Sequence, residues 1–144
     1  MIMYRSSGNI LDSTCRWITI PVNCVGTMGA GLAKGAAKKF PQQEKAYKQY
    51  CTSKELRIGV IKICSPLIFF PTKDNWRNPS ELVFISNGLD ALRRLYSASK
   101  GRLGSIAIPA LGCGLGGLEW SLVKPLIEKY LGDLDIYVEV YVPQ

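Results

Sequence analysis

The sequence has 144 residues, the size of one domain with a single core, and 47% of them are hydrophobic, which excludes a disordered chain. The net charge of +7 either favours anionic partners or serves solubility alone. There is no histidine, which excludes Ser-His-Asp and Cys-His nucleophilic machinery. Any catalysis must therefore use lysine, carboxylates, a bound water or the substrate itself.

The first residues and the cysteines are typical of a protein inside the cell. No apolar run approaches the ~20 residues that a membrane helix needs, and Met1–Ile10 lack the basic end and apolar stretch of a secretory signal. We therefore expect a soluble, cytoplasmic monomer that does not contact membranes. We also expect no cofactor, no metal site and reduced thiols, since there is no CxxC pair among Cys15, Cys24, Cys51, Cys64 and Cys113.

The first half of the chain alternates strand-like and helix-like segments. Strands are predicted where β-branched and aromatic residues cluster. Helical composition follows a glycine-rich stretch and is stopped by Pro41. In chain order we predict strands at 2–6 and 17–23, helices at 31–40 and 42–54, and strands at 57–64 and 67–72 separated by a turn at Ser65–Pro66.

In the second half, the clearest helix is predicted to begin at residues 78–81. Asn78 suits the N-cap, Pro79 the first helical position, and Glu81 can close a capping box. A strand at 105–111, a glycine loop at 112–118, a helix at 119–131 that Pro125 should kink or interrupt, and a strand at 135–142 follow. An apolar stripe at helical spacing is assigned to the core: Leu82, Ile85, Leu89, Leu92 and Leu95.

The alternation of strands and helices predicts the fold class. It favours a single α/β domain over residues 1–144, with a mixed sheet and helices on both of its faces. In open α/β sheets a ligand lies at the carboxyl ends of the strands. Two glycine-rich loops leave strands at those ends, so they mark the predicted site.

The first glycine loop lies within "VNCVGTMGAGLA", residues 22–33, and the second runs from Gly112 to Gly117. Gly26, Gly29 and Gly31 permit positive φ and remove side-chain bulk, so a ligand can touch the main chain. Consecutive N–H groups beside a helix start bind anions, and two such loops would suit a diphosphate. Neither loop fits the P-loop or Rossmann spacing, and tight turns alone are the alternative.

These loops carry a resemblance to a known family. "VNCVGTMGAGLA" and "IPALGCGLGGLEW" resemble the two ligand loops of macrodomains, and "SSGNI" lies where that family has Gly-Asp-Ile near the adenine. The resemblance implies a three-layer α/β/α sandwich with a mostly parallel sheet that binds ADP-ribose. The residues it places at the ligand are Asn9, Ile10, Gly29, Ala30, Gly31, Leu32, Thr72, Leu111, Gly112, Cys113, Gly114, Leu115, Gly116 and Gly117.

Within the family, "NCVGTMGAGLA" together with "FFPTKDNWRNPS" is most similar to one branch. That branch contains terminal ADP-ribose protein glycohydrolases and antitoxins that remove ADP-ribose from thymidine in DNA. The resemblance implies that Asn23 contacts the distal ribose and that Lys73 takes part in attack at its C1'' carbon. Two positions depart from the pattern: Asn9 replaces the usual aspartate, and Gly116 stands where the protein glycohydrolases have an aspartate.

Considered without the family, these residues leave alternatives open. Lys73 follows an apolar strand and could be a nucleophile, a proton-transfer group, a phosphate contact or a solvated loop residue. Asn23 could bind a ribose hydroxyl or cap the glycine turn. Trp76 could stack on a base or anchor its loop to the core. Asp74 is expected to pair with Arg77.

Three functions remain open from the sequence. The first is a hydrolase that removes ADP-ribose from a modified protein or DNA at C1''. The second is a phosphatase of ADP-ribose 1''-phosphate, which could use a positioned water and the substrate's own phosphate. The third is a non-catalytic reader of ADP-ribose. Lys73 favours the first, because a covalent ribose intermediate needs a nucleophile.

Overall fold

Six strands form one sheet, and four α-helices pack on its two faces. The computed structural model describes residues 1–144. In chain order the elements are β1 (Ile2–Arg5), a 3-10 turn (Ile10–Asp12), β2 (Trp17–Asn23), α1 (Gly31–Lys39), α2 (Pro41–Thr52), β3 (Lys62–Cys64), β4 (Leu67–Lys73), α3 (Leu82–Ala98), β5 (Ser105–Ile108), a second 3-10 turn (Gly114–Gly116), α4 (Trp120–Leu131) and β6 (Tyr137–Tyr141).

The strand order is β1-β6-β5-β2-β4-β3, and every neighbouring pair is parallel except β3 with β4. The predicted mixed, mostly parallel sheet is therefore confirmed. The carboxyl ends of β5, β2 and β4 lie side by side at one end of the sheet. The loops that leave these strands consequently meet there.

Side chains alternate across the strands, and each face has its own core, so the predicted three layers are confirmed. On one face Ile68 and Phe70 of β4 pack with the apolar sides of α3 and α4. On the other face Phe69 packs with Ala36 of α1 and Tyr47 of α2. No helix combines the length and the apolar character that crossing a membrane requires.

The predicted start of α3 is wrong by several residues. The helix begins at Leu82, and Glu81 is an extended N-cap residue (φ −118°, ψ 146°) whose side chain makes no capping hydrogen bond. The Ser80 N–H instead donates to the Gly116 carbonyl at 3.0 Å. This tertiary hydrogen bond ties residues 78–81 to the second glycine loop and overrides the local capping signal.

Two further elements differ from the sequence prediction. The strand predicted at 57–64 is reduced to β3, because residues 57–60 form a turn closed by the Val60 N–H on the Arg57 carbonyl, with Gly59 at φ +84°. Pro125 does not interrupt α4, which runs on to Leu131, and a kink at this residue stays a prediction. In the second turn of a helix, a proline removes one hydrogen bond, and the buried apolar face still holds the rest in place.

At Gly88, α3 packs directly against the ring of Phe70 in the sheet. A methyl group at this position would overlap with the aromatic ring of Phe70, which is fully buried. We expect Gly88→Ala to destabilise the fold by about 1–3 kcal/mol through overpacking, despite the higher helix propensity of alanine. Urea unfolding would measure this. The control Asn87→Ala changes the exposed neighbouring position, and equal or higher stability of Gly88→Ala would contradict the close approach.

Glu139 of β6 is a buried carboxylate with a full set of donors. The hydroxyls of Ser13 and Tyr141 donate to Oε1 at 2.8 and 2.7 Å, and the Tyr137 hydroxyl donates to Oε2 at 3.0 Å. Burial raises the pKa of Glu139, but these hydrogen bonds and the charge of Arg5 outweigh it and hold that pKa below its usual value. The network joins the β1–β2 connection to the sheet.

This network predicts an acid-dependent loss of stability. Because the pKa of Glu139 is lowered in the folded state, its contribution is present above about pH 4.3 and is lost as the pH falls through the folded-state pKa. We expect Glu139→Gln to lower the free energy of unfolding by about 1–3 kcal/mol at pH 7. The difference from the wild type should shrink at acidic pH, and a difference that is constant with pH would contradict the assignment.

Candidate functional site

A cleft of about 1050 Å³ opens at the carboxyl ends of β2, β4 and β5. Its walls are the first loop with the start of α1, the segment that follows β4 (residues 74–81), and the second loop. Residues that line it are Pro21, Val22, Asn23, Thr27, Gly29, Ala30, Gly31, Leu32, Ala33, Thr72, Lys73, Trp76, Arg77, Asn78, Pro79, Pro109, Ala110, Gly112, Cys113, Gly114, Leu115 and Gly116.

Most of the residues predicted for the site line this cleft, and four do not. Asn9 lies outside it, and its Oδ1 accepts the Leu11 N–H at 3.0 Å, which caps the first 3-10 turn. Ile10 and Leu111 are buried, and Gly117 is exposed beyond the second loop. The sequence interpretation missed Asn78 and Pro79, which had been assigned to a helix cap. Their position shortly after Lys73 was the available signal.

The start of α1 presents unpaired amide groups to the cleft. Ala30, the N-cap residue, makes no side-chain capping bond, and Gly31 begins the helix at φ +57°. The first intrahelical bond runs from the Lys34 N–H to the Ala30 carbonyl. The N–H groups of Gly31, Leu32 and Ala33 are therefore free to bind an anion, with the positive end of the helix behind them.

The second loop presents a matching set of donors. Its internal hydrogen bonds use the N–H groups of Cys113, Gly117 and Leu118. The amides of the second 3-10 turn, residues 114–116, are thus free, and they line the same cleft. A methyl group on Gly31 would lie 3.7 Å from Cδ1 of Leu115, so the two loops face each other at contact distance.

Ser80 packs under this loop. Its hydroxyl is buried without a hydrogen-bond partner, and a Cβ atom on Gly116 would lie only 2.5 Å from it. Together with the Ser80 N–H bond to the Gly116 carbonyl, this contact holds the loop against the segment that follows β4.

The Asn23 side chain holds the first loop. Asn23 is only 8% exposed. Its Oδ1 accepts the N–H groups of Val25 and Thr27 at 3.1 and 3.3 Å, and its Nδ2 donates to the Thr27 carbonyl at 2.7 Å. The hydroxyl of Tyr47 lies 2.8 Å from both Oδ1 and the Asn23 carbonyl. The turn-capping role is therefore satisfied, and one Nδ2 hydrogen remains for a ligand.

Lys73 ends β4 directly beside Asn23 of β2, as the register of the two strands shows. Its Nζ donates to the Leu115 carbonyl at 3.1 Å and to the Trp76 carbonyl at 3.4 Å. The amine thus bridges the second loop and the segment after β4. The predicted emergence of Lys73 at a strand's carboxyl end is confirmed.

The expected pairing of Asp74 with Arg77 is wrong. The Arg77 guanidinium lies over the Trp76 ring, 4.9 Å from its centroid, and forms no ion pair. The Asp74 carbonyl accepts the Cys24 N–H at 3.1 Å. Trp76 is 51% exposed, so its ring does not anchor the loop to the core.

The cysteines near the cleft are not activated. All five cysteines are free thiols. Burial, reinforced by the charge of Asp74, raises the pKa of Cys24 to about 11, and burial also raises the pKa of Cys113. Both thiols are therefore protonated at neutral pH, which argues against a nucleophilic role for either.

Few groups in the cleft can take part in acid–base chemistry. Lys73, Arg77 and Cys113 are the titratable side chains that line it, and no carboxylate does so. No cluster of three or more His, Cys, Asp or Glu side chains is arranged to hold a metal ion. The cleft thus combines main-chain donors and two cationic side chains, a set suited to an anionic ligand.

Comparisons with known proteins agree with this geometry. The sequence profile described as "Macro domain" matches residues 20–127. A DNA ADP-ribosyl transferase–DNA ADP-ribosyl glycohydrolase fusion protein of Thermosipho africanus is 38% identical over 94% of this chain and 40% of its own length. A DNA ADP-ribosyl glycohydrolase of Mycobacterium tuberculosis is 34% identical over 99% of this chain and 42% of its own length.

More distant similarity extends to an ADP-ribose 1''-phosphate phosphatase of Candida albicans, 26% identical over 75% of this chain and 77% of its own length. Among solved structures, the macrodomain of Mycobacterium tuberculosis DarG has a TM-score of 0.94 over 100% of this chain and 99% of that chain, with 34% identity. Thermosipho africanus DarTG in complex with ADP-ribose has a TM-score of 0.85 over 94% of this chain and 40% of that chain, with 38% identity.

This chain therefore spans well under half the length of the two glycohydrolase relatives, while it covers nearly all of the isolated DarG macrodomain. The profile match runs from the second half of β2 through most of α4 and includes both glycine loops and Lys73. By sequence and by fold, the chain belongs to the macrodomain family.

Proposed function

We propose that the chain binds ADP-ribose in the cleft and hydrolyses the bond between C1'' of the distal ribose and a modified macromolecule. The observation that carries this proposal is the position of Lys73, which ends β4 in a cleft that has no carboxylate and no histidine. The names of the glycohydrolase relatives support the same reaction class, and DNA as the acceptor.

The diphosphate would lie between the two sets of free amides, at the start of α1 and in the second loop. Each set supplies consecutive N–H groups, and both sets line the same cleft. Such clusters act as fixed partial positive charges without adding a mobile side chain. The remaining Nδ2 hydrogen of Asn23 would then donate to a hydroxyl of the distal ribose.

The strand order supports one direction for the ligand. Asn9 and Ile10 follow β1, at one edge of the sheet, whereas Lys73 ends β4 on the far side of β2. With the diphosphate over β5 and β2, the adenosine would extend toward β1 and the distal ribose toward β4. This direction brings C1'' to Lys73.

The hydrogen bonds of Lys73 would orient it for attack. Lys73 first releases one proton from its ammonium group to water. The neutral amine then has two hydrogens and one lone pair, and the carbonyls of Leu115 and Trp76 can accept both hydrogens. The lone pair then occupies the remaining position on Nζ, which is available to a molecule in the cleft. Attack forms an N–C1'' bond, breaks the bond from C1'' to the acceptor, and passes one proton to the departing acceptor. Water then hydrolyses the adduct, which releases ADP-ribose and restores the lysine.

Phosphatase activity is the second candidate, because the Candida albicans relative is named for it. In that reaction water attacks phosphorus, C1'' keeps its oxygen, and Lys73 would only contact the phosphate. The two candidates therefore differ in their dependence on Lys73.

The catalytic role predicts the effect of Lys73→Ala. We expect it to slow release of ADP-ribose from an ADP-ribosylated oligonucleotide by at least ~100-fold, because the attacking amine is removed. Calorimetry should show that free ADP-ribose still binds, because the amides at the start of α1 are unchanged, although with lower affinity because the second loop loses its hydrogen bond to Lys73. The control is Lys34→Ala, an exposed lysine of α1 that does not line the cleft.

Three substrates tested in parallel would separate the candidates: an ADP-ribosylated oligonucleotide, an ADP-ribosylated protein and ADP-ribose 1''-phosphate. Reduction with borohydride during turnover should add an ADP-ribosyl mass to Lys73 if the amine bonds to C1''. Undiminished turnover by Lys73→Ala on every substrate would overturn the catalytic role. If the wild type binds ADP-ribose but turns over none of the three substrates, the chain would be a non-catalytic reader.

A further prediction concerns Tyr47, whose hydroxyl holds the Asn23 side chain in place. Tyr47→Phe removes the buried hydroxyl that contacts both oxygens of Asn23, so the first loop should loosen. We expect affinity for ADP-ribose to fall about 2- to 10-fold and amide exchange at Val25 and Thr27 to accelerate. Tyr50→Phe is the matched control, because its hydroxyl makes an exposed bond to the Ile63 carbonyl. Equal effects of both variants would contradict this role of Tyr47.

A further inference from the structure

Two large apolar side chains are unusually exposed on either side of Lys73. Trp76 is 51% exposed and Leu115 is 73% exposed, and both line the cleft. They belong to opposite walls, the segment after β4 and the second loop. The main-chain carbonyls of the same two residues accept hydrogen bonds from Lys73 Nζ at 3.4 and 3.1 Å. We call Trp76 and Leu115 the mouth pair.

The position of the mouth pair is set by the amine itself. Because one nitrogen contacts the carbonyls of both residues, their backbones cannot be far from the atom that Lys73 attacks. An acceptor bonded to C1'' begins at that atom and must leave the cleft past these two residues. The mouth pair is therefore the first protein surface that the acceptor meets.

The chemistry of the mouth pair distinguishes between acceptors. Trp76 belongs to neither of the two hydrophobic cores, so packing of the fold does not account for its ring. The Arg77 guanidinium covers one face of the ring at 4.9 Å, which orients it and adds a positive charge. A nucleobase gains stacking free energy when it lies against an aromatic ring, whereas a carboxylate side chain does not.

We propose that Trp76 is the stacking platform for the nucleobase that carries the ADP-ribose, with Leu115 as the opposing apolar wall. This inference rests on the proposed function and assigns its acceptor specificity to one side chain. Arg77 contributes twice, since it holds the ring and attracts the phosphate next to the modified nucleotide. The mouth pair thus favours a nucleic-acid acceptor over a protein acceptor attached through a carboxylate.

The test compares Trp76→Ala with the wild type on two substrates that share ADP-ribose and differ in acceptor. We expect kcat/KM on an ADP-ribosylated oligonucleotide to fall about 5- to 150-fold, the range for loss of one base–aromatic stack. On a protein ADP-ribosylated at carboxylates the fall should be less than about 3-fold, and the Kd for free ADP-ribose should not change. Trp76→Phe should restore most of the loss, because it keeps an aromatic face.

The matched control is Leu122→Ala, which truncates another apolar side chain that is 51% exposed but lies on α4 outside the cleft. It should leave both substrates unaffected. Equal losses by Trp76→Ala on the oligonucleotide and the protein would overturn the inference, as would no loss on the oligonucleotide. Weaker binding of free ADP-ribose would do so too, because it would place the ring at the nucleotide and not at the acceptor.

A binding experiment separates failure of this inference from failure of the proposed function. An ADP-ribosylated oligonucleotide with a non-hydrolysable linkage at C1'' is titrated against the wild type and against Trp76→Ala, and the Kd is followed by fluorescence anisotropy. The inference predicts a 5- to 150-fold weaker Kd for Trp76→Ala, whether or not the wild type turns over the natural linkage. Equal Kd values reject the stacking platform, whereas absent turnover of the natural linkage by the wild type rejects only the hydrolase.

Discussion

The side chain of Asn23 lies where β2 ends, and the backbone of the first loop folds around it. Its amide group satisfies the loop at Val25 and Thr27, and Tyr47 supports it from the buried face of α2. The loop can then reach α1 without covering the amides at the start of that helix. A glycine-rich segment is flexible by composition, so this one buried amide turns a flexible sequence into a fixed donor surface.

Lys73 holds the backbone on the other side of the cleft by hydrogen bonds, as Asn23 holds the first loop. Its amine connects the second loop to the segment after β4, and the two strands that end in Asn23 and Lys73 are direct neighbours. The side chain that we assign to the chemistry is therefore also a structural link. Main-chain N–H groups lie where a diphosphate would bind, and no carboxylate side chain lines the cleft.

The sequence was sufficient for the fold class and for most of the cleft, because both depend on patterns that are local. The alternation of strands and helices predicted a sheet with helices on both faces, and the glycine loops indicated a site at the carboxyl ends of β2 and β5. The errors occurred where a tertiary contact opposed a local signal. Asn78 and Pro79 have the composition of a helix start, yet the helix begins only at Leu82 and the Ser80 N–H bonds to the Gly116 carbonyl instead.

Arg77 shows the same limitation at the level of a side chain. An aspartate three residues away is its obvious partner in the sequence, but the exposed ring of Trp76 offers the guanidinium a flat surface. The Asn23 network could not be anticipated either, because it depends on a tyrosine from a helix 24 residues further along the chain. Sequence spacing predicts which chemistry is present, whereas these contacts depend on which elements pack together.

The contact between Ser80 and Gly116 limits how this cleft could change over evolution. A side chain at position 116 would meet the buried hydroxyl of Ser80, so a carboxylate at this position requires the Ser80 side chain to move away. A smaller residue at position 80 would relieve that contact, so we expect substitutions at the two positions to be non-additive. A lineage that gains a carboxylate at position 116 would then be expected to change at position 80 as well.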